Sequence, residues 1–191
     1  MMRVGYRAVL PVTILAVALG GAPPAVAFDP VAAPVVAQGT LQSAFSPWED
    51  VEGLIVQALD DAQSQILVQA YLLTSHKIAA TLVAARRRGV DVRVLADAEQ
   101  HGKTETSRLK ELAAAGIGVW LETRYQNAHN KIMVIDAGTS RATVITGSFN
   151  FTWSAQHKNA ENILIVRNNP ALAGRYALNW ERHRQEATNY K

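Results

Sequence analysis

The stretch His129–Asp136, "HNKIMVID", decides the fold. Its centre is apolar and rich in β-branched side chains, which predicts a buried strand. Because side chains alternate along a strand, His129 and Lys131 should project from the same face. An imidazole beside an ammonium group is costly unless something anionic lies between them. The stretch therefore predicts a core strand that begins at an anion-binding site.

Strand-like and helical patterns alternate on both sides of this stretch, and no internal repeat is present. The pattern predicts strands over 40–45, 64–73, 90–97, 117–122, 142–147 and 161–166. It predicts helices over 49–62, from about 75 to 88, over 104–115 and from about 170 onwards. Such alternation predicts an α/β sandwich, a mixed β-sheet flanked by helices on both faces.

The first 27 residues have the pattern of a secretory signal peptide. Arg3 and Arg7 precede an apolar run, and Ala25-Val26-Ala27 fits a cleavage site. A membrane anchor is the alternative, but the run is short for a bilayer and prolines interrupt it. Residues 28–38 read as a Pro- and Ala-rich arm, and 39–191 as a single catalytic domain. We expect a secreted or periplasmic protein with no stable membrane anchor after cleavage.

Composition excludes several kinds of site. Cysteine is absent from the 191 residues, so the chain has no disulfide, no thiolate metal site and no catalytic cysteine. The formal charge of +3 includes Arg3 and Arg7, and signal cleavage would remove both of these positive charges. Global charge is therefore weak evidence for a polyanionic partner, and any such argument must come from local clusters.

The sequence after the strand carries a second set of polar residues, "GSFNFTWSAQHKNAEN", over 147–162. The order H-x-K-x4-D followed by G-S-x-N resembles the phospholipase D superfamily. With "AFSP" and "AARRRGVDVRVL" upstream, it is most similar to the single-motif, Nuc-type bacterial endonucleases. The resemblance covers roughly residues 39–185 and implies the phospholipase D-like α/β sandwich.

That resemblance also implies a mechanism and an assembly. In the superfamily one histidine forms a phosphohistidine intermediate and a histidine of a second motif protonates the leaving group. H-x-K occurs only once in this chain. The resemblance therefore implies a homodimer with the active site at its two-fold interface, where each subunit supplies one His129.

The chemistry of phosphodiester hydrolysis fits the residue types at these positions. The reaction needs a nucleophile, neutralisation of the non-bridging oxygens and an acid for the leaving group. His129 can act as nucleophile and general acid, and Lys131 can bind the phosphate. Ser148 and Asn150 can donate hydrogen bonds to phosphoryl oxygens, while Gly147 lets the backbone come close.

Two interpretations are open for each of two acids, Glu161 and Asp136. The resemblance implies that Glu161, at the start of a predicted strand, orients His129. The alternative is that Glu161 is an ordinary exposed strand end. Asp136 is five positions from Lys131, so strand parity places it on the other face. Asp136 is therefore expected to be structural or to support the catalytic residues from behind.

No cofactor is expected, and no metal, because Lys131 already supplies the positive charge that a cation would bring. The segment between Asp136 and Gly147 is longer than in the typical family motif. Its Arg141 either reaches the mouth of the active site or is solvated, and the second is favoured. Trp153 either stacks on a base or packs beneath the sheet.

Three functions remain open from the sequence. A nuclease acting on DNA or RNA is favoured, because the resemblance is to secreted, single-motif nucleases and the domain is small. Phospholipase D activity on phospholipid head groups is the alternative, since the same site could cleave any accessible phosphodiester. A catalytically silent nucleic-acid-binding module is the third, although the intact H-x-K and G-S-x-N argue against it.

Overall fold

An eight-stranded mixed β-sheet forms the centre of the computed structural model, which describes residues 33–191. The strands are β1 Thr40–Ser46, β2 Gln65–Ala70, β3 Asp91–Asp97, β4 Gly118–Glu122, β5 Lys131–Ile135, β6 Thr143–Gly147, β7 Glu161–Arg167 and β8 Thr188–Asn189. The helices are α1 Val51–Asp60, α2 His76–Arg87, α3 Ala98–Lys103, α4 Leu109–Ala114, α5 Trp153–His157 and α6 Pro170–Glu186.

The strand order is β1-β7-β6-β5-β2-β3-β4-β8. Strands β2, β3 and β4 run parallel to one another, and the other neighbouring pairs are antiparallel. Helices α1, α2, α4 and α5 contribute to the apolar core on one face of the sheet. Helix α6 covers part of the other face with Trp180, Ala173 and their neighbours. The predicted fold, a mixed sheet with helices on both faces, is confirmed.

Two parts of the element prediction were wrong. The helix predicted over 104–115 is shorter, Leu109–Ala114, and an unpredicted helix, α3, precedes it, because Asp97 caps α3 by accepting a hydrogen bond from the Gln100 amide at 2.8 Å. Helix α5 and strand β8 were not predicted at all. Both are too short to show a clear hydrophobic period.

One edge of the sheet gathers the ends of seven strands. The register pairs Ala70 of β2 with Lys131 of β5, and Ser46 of β1 with Glu161 of β7. Asp97 and Glu122 are paired where β3 and β4 end. We call this the active edge, and the other end of the same strands the far edge.

The described residues 34–191 form one compact unit. The predicted signal peptide, 1–27, and residues 28–32 of the predicted arm lie outside the part of the chain that the structure describes. Within residues 33–191, every helix is too short or too polar to cross a bilayer.

Candidate active site

His129 and Lys131 meet around one aromatic ring at the active edge. His129 lies just before β5 and is exposed, with its ring centroid 4.3 Å from that of Tyr71. The Lys131 ammonium lies 4.6 Å from the Tyr71 ring centroid and donates a 2.7 Å hydrogen bond to the His129 carbonyl. The structure therefore brings the two residues together, with Tyr71 between them. Sequence reasoning missed Tyr71, because only the pairing of β2 with β5 places it there.

Lys131 is an unusual cation, since only 6% of its surface is exposed. Among the described residues, the hydrogen bond of its ammonium goes to a carbonyl and not to a carboxylate. Burial lowers the pKa of Lys131 to about 8, and the negative charge of Glu161 opposes this shift. A buried ammonium without an ion-paired carboxylate is well suited to an anionic substrate group, which would restore the lost solvation.

The chain leaves β6 through a close backbone contact. Gly147 has a φ of +156°, and a Cβ atom there would lie 2.2 Å from the Asn162 carbonyl oxygen. Only glycine fits such an approach. Strand β6 ends at Gly147, as predicted, so Ser148 and Asn150 lie in the segment that follows it. Burial still alternates there, with Phe149 buried between them.

Ser148 and Asn150 differ in the hydrogen bonds that their side chains make. The Ser148 hydroxyl oxygen accepts hydrogen bonds from the Asn162 amide at 3.1 Å and from its side chain at 3.3 Å. Its own proton is thereby left to donate outward. The side-chain oxygen of Asn150 is buried and has no hydrogen-bond partner. An amide oxygen only accepts hydrogen bonds, so Asn150 can donate to a phosphoryl oxygen only through its side-chain nitrogen.

Glu161 lies at the active edge but does not contact His129. Its carboxylate accepts a 2.9 Å hydrogen bond from Asn159, and no hydrogen bond joins it to His129 among residues 33–191. Strand β6 separates β7 from β5, so Glu161 starts about 10 Å from the His129 strand. Within one chain the orienting contact is therefore not formed, and the orienting role of Glu161 stays a prediction. The charge of Glu161 acts on Lys131 instead.

Asp136 belongs to the far edge and does not support the catalytic residues. It follows β5 with a φ of 51°, five residues from Lys131, which corresponds to about 16 Å along a strand. Its carboxylate accepts hydrogen bonds from the amides of Gln63, Ser64 and Gln65 at 2.9, 2.7 and 3.0 Å. These contacts fit the structural role that was expected for Asp136. They do not fit the other expected role, in which Asp136 supports His129 and Lys131 from behind.

The longer segment after Asp136 also lies at the far edge. It forms the turn between β5 and β6, and Arg141 in it is exposed. Arg141 therefore does not reach the active edge.

Trp153, on helix α5, does not pack beneath the sheet, since 56% of its surface is exposed.

Replacing Asp136 with asparagine should destabilise the protein by about 2 to 4 kcal/mol, because an amide cannot accept from all of these donors. Burial alone would raise the pKa of Asp136, but the hydrogen bonds from Gln65, Gln63 and Ser64 outweigh it and lower the pKa. The carboxylate thus stabilises the fold above the unfolded pKa of about 3.9, and this contribution is lost as the pH falls through the lower folded value.

Urea unfolding of D136N at pH 7 and at pH 3 measures both effects, with D60N as the matched control. Asp60 is exposed and pairs with Arg88 at 3.7 Å, so its loss should cost less than about 1 kcal/mol. Equal stability of D136N and D60N would remove the structural role of Asp136.

A buried carboxylate that sequence reasoning missed holds the segment before His129. The two oxygens of Asp97 accept hydrogen bonds from the Ala128 amide at 2.7 Å and from the Gln100 amide at 2.8 Å. Asp97 therefore fixes the backbone one residue before His129. The sequence shows only an acid after a strand, which is a common helix cap.

The described residues do not converge into a metal site. Within 33–191, no group of three or more His, Asp or Glu side chains could hold a metal ion. The arrangement at the active edge supplies an exposed imidazole, a buried cation and polar groups that can donate hydrogen bonds. These are the groups that hydrolysis of a phosphodiester requires.

Three comparisons place this chain among known proteins. The family model described as "Cardiolipin synthase, PLD-like domain" matches residues 55–183. A protein named phospholipase D from Rickettsia prowazekii (strain Madrid E) is 38% identical over 145 residues, which cover 76% of this chain and 68% of that protein.

Solved structures of similar fold include members of the same family. The phospholipase D family member Nuc from Salmonella typhimurium matches with a TM-score of 0.72 and 32% identity, covering 80% of this chain and 98% of that one. NucT from Helicobacter pylori shares the fold, with a TM-score of 0.68 and 18% identity over 79% of this chain and all of that chain, 100%.

Proposed function

This chain belongs to the phospholipase D superfamily of phosphodiester hydrolases, and from that premise we propose that it is an exported, homodimeric endonuclease that cleaves DNA or RNA. One observation carries the proposal. The buried Lys131 ammonium lies beside the exposed His129 and lacks an ion-paired carboxylate among the described residues. That pair is complementary to a phosphodiester, which brings one negative charge and an electrophilic phosphorus atom.

The reaction proceeds in two displacements at phosphorus. An imidazole nitrogen of His129 attacks phosphorus, a phosphorus–nitrogen bond forms and the bond to the leaving oxygen breaks. The leaving alkoxide takes a proton from a second, protonated imidazole. Water then attacks the phosphohistidine and gives its proton to that second imidazole, which releases a phosphomonoester and regenerates His129.

The second imidazole is the reason for proposing a dimer. An in-line displacement needs the acid on the side opposite the nucleophile, so one imidazole cannot fill both roles in the first step. H-x-K occurs once in the sequence. A two-fold axis beside the active edge supplies the second His129 from another copy of the chain.

Lys131, Ser148 and Asn150 bind the negatively charged non-bridging oxygens of the phosphoryl group. Lys131 neutralises a non-bridging oxygen as a point charge. The outward proton of Ser148 and the side chain of Asn150 donate to the same group, while Gly147 keeps the backbone close.

Nucleic acid is the favoured substrate because the motif resembles secreted, single-motif nucleases. Cleavage of phospholipid is the second candidate, since the 38% identical relative in Rickettsia prowazekii is named phospholipase D. Both reactions use the same His129 and Lys131 chemistry, so the choice depends on what surrounds the phosphate.

The test is a substrate panel with excess EDTA. We expect purified protein to cut plasmid DNA or RNA and to retain that activity in EDTA, because Lys131 supplies the positive charge. Phosphatidylcholine vesicles test the second candidate, and H129N prepared in parallel shows whether a contaminating nuclease is present. Complete loss in EDTA, restored by one divalent ion, would contradict the mechanism. Hydrolysis of vesicles alone would replace the endonuclease by a phospholipase.

A further inference from the structure

An exposed aromatic and basic cluster lies on the short helix that follows the phosphate-binding residues. Trp153 is 56% exposed, and its ring lies 4.6 Å from that of His157, with an angle of 38° between the planes. The Lys158 ammonium lies 5.3 Å from the centre of the Trp153 ring. The imidazole and the ammonium group thus both lie against the indole ring of an exposed tryptophan. We call them the α5 cluster.

The α5 cluster is close to the candidate site along the chain on both sides. Trp153 comes three residues after Asn150, and Lys158 comes three residues before Glu161. Phe151, between Asn150 and Trp153, donates its amide to the Leu72 carbonyl, next to Tyr71. The segment that carries the cluster is therefore attached to the end of β2, the strand that pairs with β5 beside His129 and Lys131.

Helix α5 is also held rigidly against the rest of the fold. Thr152 caps it through the Ala155 amide at 3.1 Å, and Ser46 donates a 2.6 Å hydrogen bond to the Ala155 carbonyl. The buried Gln156 donates to the Glu49 carbonyl at 2.9 Å and accepts from the Glu52 amide at 2.9 Å. The opposite side of the helix is thereby fixed, so Trp153 is displayed on a rigid support.

We propose that the α5 cluster is a subsite in which Trp153 stacks on a nucleobase next to the scissile phosphate. His157 packs against the indole and supports it, and Lys158 binds a flanking phosphate. This inference rests on the proposed nucleic-acid substrate and names how that substrate is recognised. Every base has a flat π-face, so such a subsite tolerates any sequence, as a non-specific nuclease requires.

The cluster favours a nucleic acid over a lipid surface. A cation and an imidazole lie directly against the indole, where an apolar anchor would need apolar neighbours. A base flanked by phosphates satisfies all three groups at once, because the ring stacks while the cation meets an anion.

Binding to two charge-matched oligomers tests the proposal. The H129N protein, which should bind without cleaving, is titrated with fluorescently labelled oligothymidylate and with an abasic oligomer of equal length. Adding W153A should weaken binding of oligothymidylate by about tenfold, within the range for one stacked base. Binding of the abasic oligomer should change by less than about twofold. W153F should restore most of the loss.

Leu178 on α6 provides the control, since it is 75% exposed and α6 covers the other face of the sheet from α5. L178A should bind both oligomers as the parent protein does. An equal effect of W153A on both oligomers, no effect on either, or an equal loss in L178A would overturn the subsite. So would a loss confined to anionic vesicles, or a shift from dimer to monomer in sedimentation velocity caused by W153A.

Failure of the proposed function has a different signature. If the protein with His129 intact cleaves no nucleic acid and H129N binds neither oligomer, the endonuclease proposal itself is wrong. If cleavage is normal and W153A binds both oligomers like its parent, only the subsite is wrong.

Discussion

Replacing His129 with asparagine should lower phosphodiester hydrolysis to less than about one ten-thousandth of the wild-type rate. The change removes the nucleophile from one subunit and the general acid from the other, and general acid catalysis alone contributes about 10² to 10⁴. His129 is exposed and lies before β5, so the variant should fold normally. Turnover and urea unfolding, measured on the same preparation, separate loss of chemistry from loss of fold.

Mixing the variant with wild type tests the shared site. After co-refolding in equal parts, about one quarter of the dimers are wild-type homodimers under random pairing. Each heterodimer holds one His129 where two are needed. Activity per mole of total protein should therefore fall to near one quarter of the wild-type value. A fall only to one half would mean that each chain works alone, and the dimer mechanism would be wrong.

Strand β5 shows how much of the fold could be predicted from the sequence. The apolar run 132–135 lies within β5 at the centre of the sheet, as its composition predicted. The strand is shorter than predicted at both ends, since His129 and Asp136 flank it. At His129 the residue type is set by function, and at Asp136 it is set by the turn that follows. The hydrophobic pattern therefore does not mark where the strand begins or ends.

Contacts between strands that are distant in sequence could not be predicted. Tyr71 lies against His129 only because β2 and β5 are neighbours, and nothing in a single sequence fixes that strand order. Glu161 shows the same difficulty in reverse. Its place in the motif suggests a contact with His129, and within one chain β6 lies between their strands, so the strand order of one chain does not supply that contact. Strand parity placed Asp136 on the other face from Lys131, whereas the structure separates the two residues along the chain, at opposite ends of β5.

Replacing Lys131 with methionine should lower activity by at least about 10³-fold and, at the same time, stabilise the fold. The phosphate loses its positive partner, while methionine keeps most of the buried aliphatic volume. Burial lowers the pKa of Lys131 from 10.5 to about 8, so holding the ammonium charged at pH 7 costs up to about 3 kcal/mol. That cost disappears in the variant. Such a gain in stability is expected when a residue is retained for activity although it destabilises the fold.

The pH dependence follows from the same shift. Between about pH 8 and 10.5 the unfolded chain binds a proton at Lys131 that the folded chain does not. Wild-type stability should therefore gain from Lys131 as the pH rises across that window, and K131M should lack this gain. Activity changes in the opposite direction, because the free enzyme loses its phosphate-binding charge. The wild-type kcat/KM should fall above about pH 8, by about tenfold per pH unit.

Lys110 on α4 is exposed and provides the matched control, K110M. We expect K110M to keep wild-type turnover and to change the unfolding free energy by less than about 0.5 kcal/mol. Urea unfolding at pH 7 and pH 10, with kcat/KM from pH 6 to pH 10, compares the three proteins. If K131M were inactive and also less stable at pH 7, Lys131 would be a structural cation whose loss disturbs the core around Tyr71. Inactivity combined with a gain in stability is the result that only a substrate-binding ammonium explains, because the folded protein then maintains a buried charge that benefits catalysis alone.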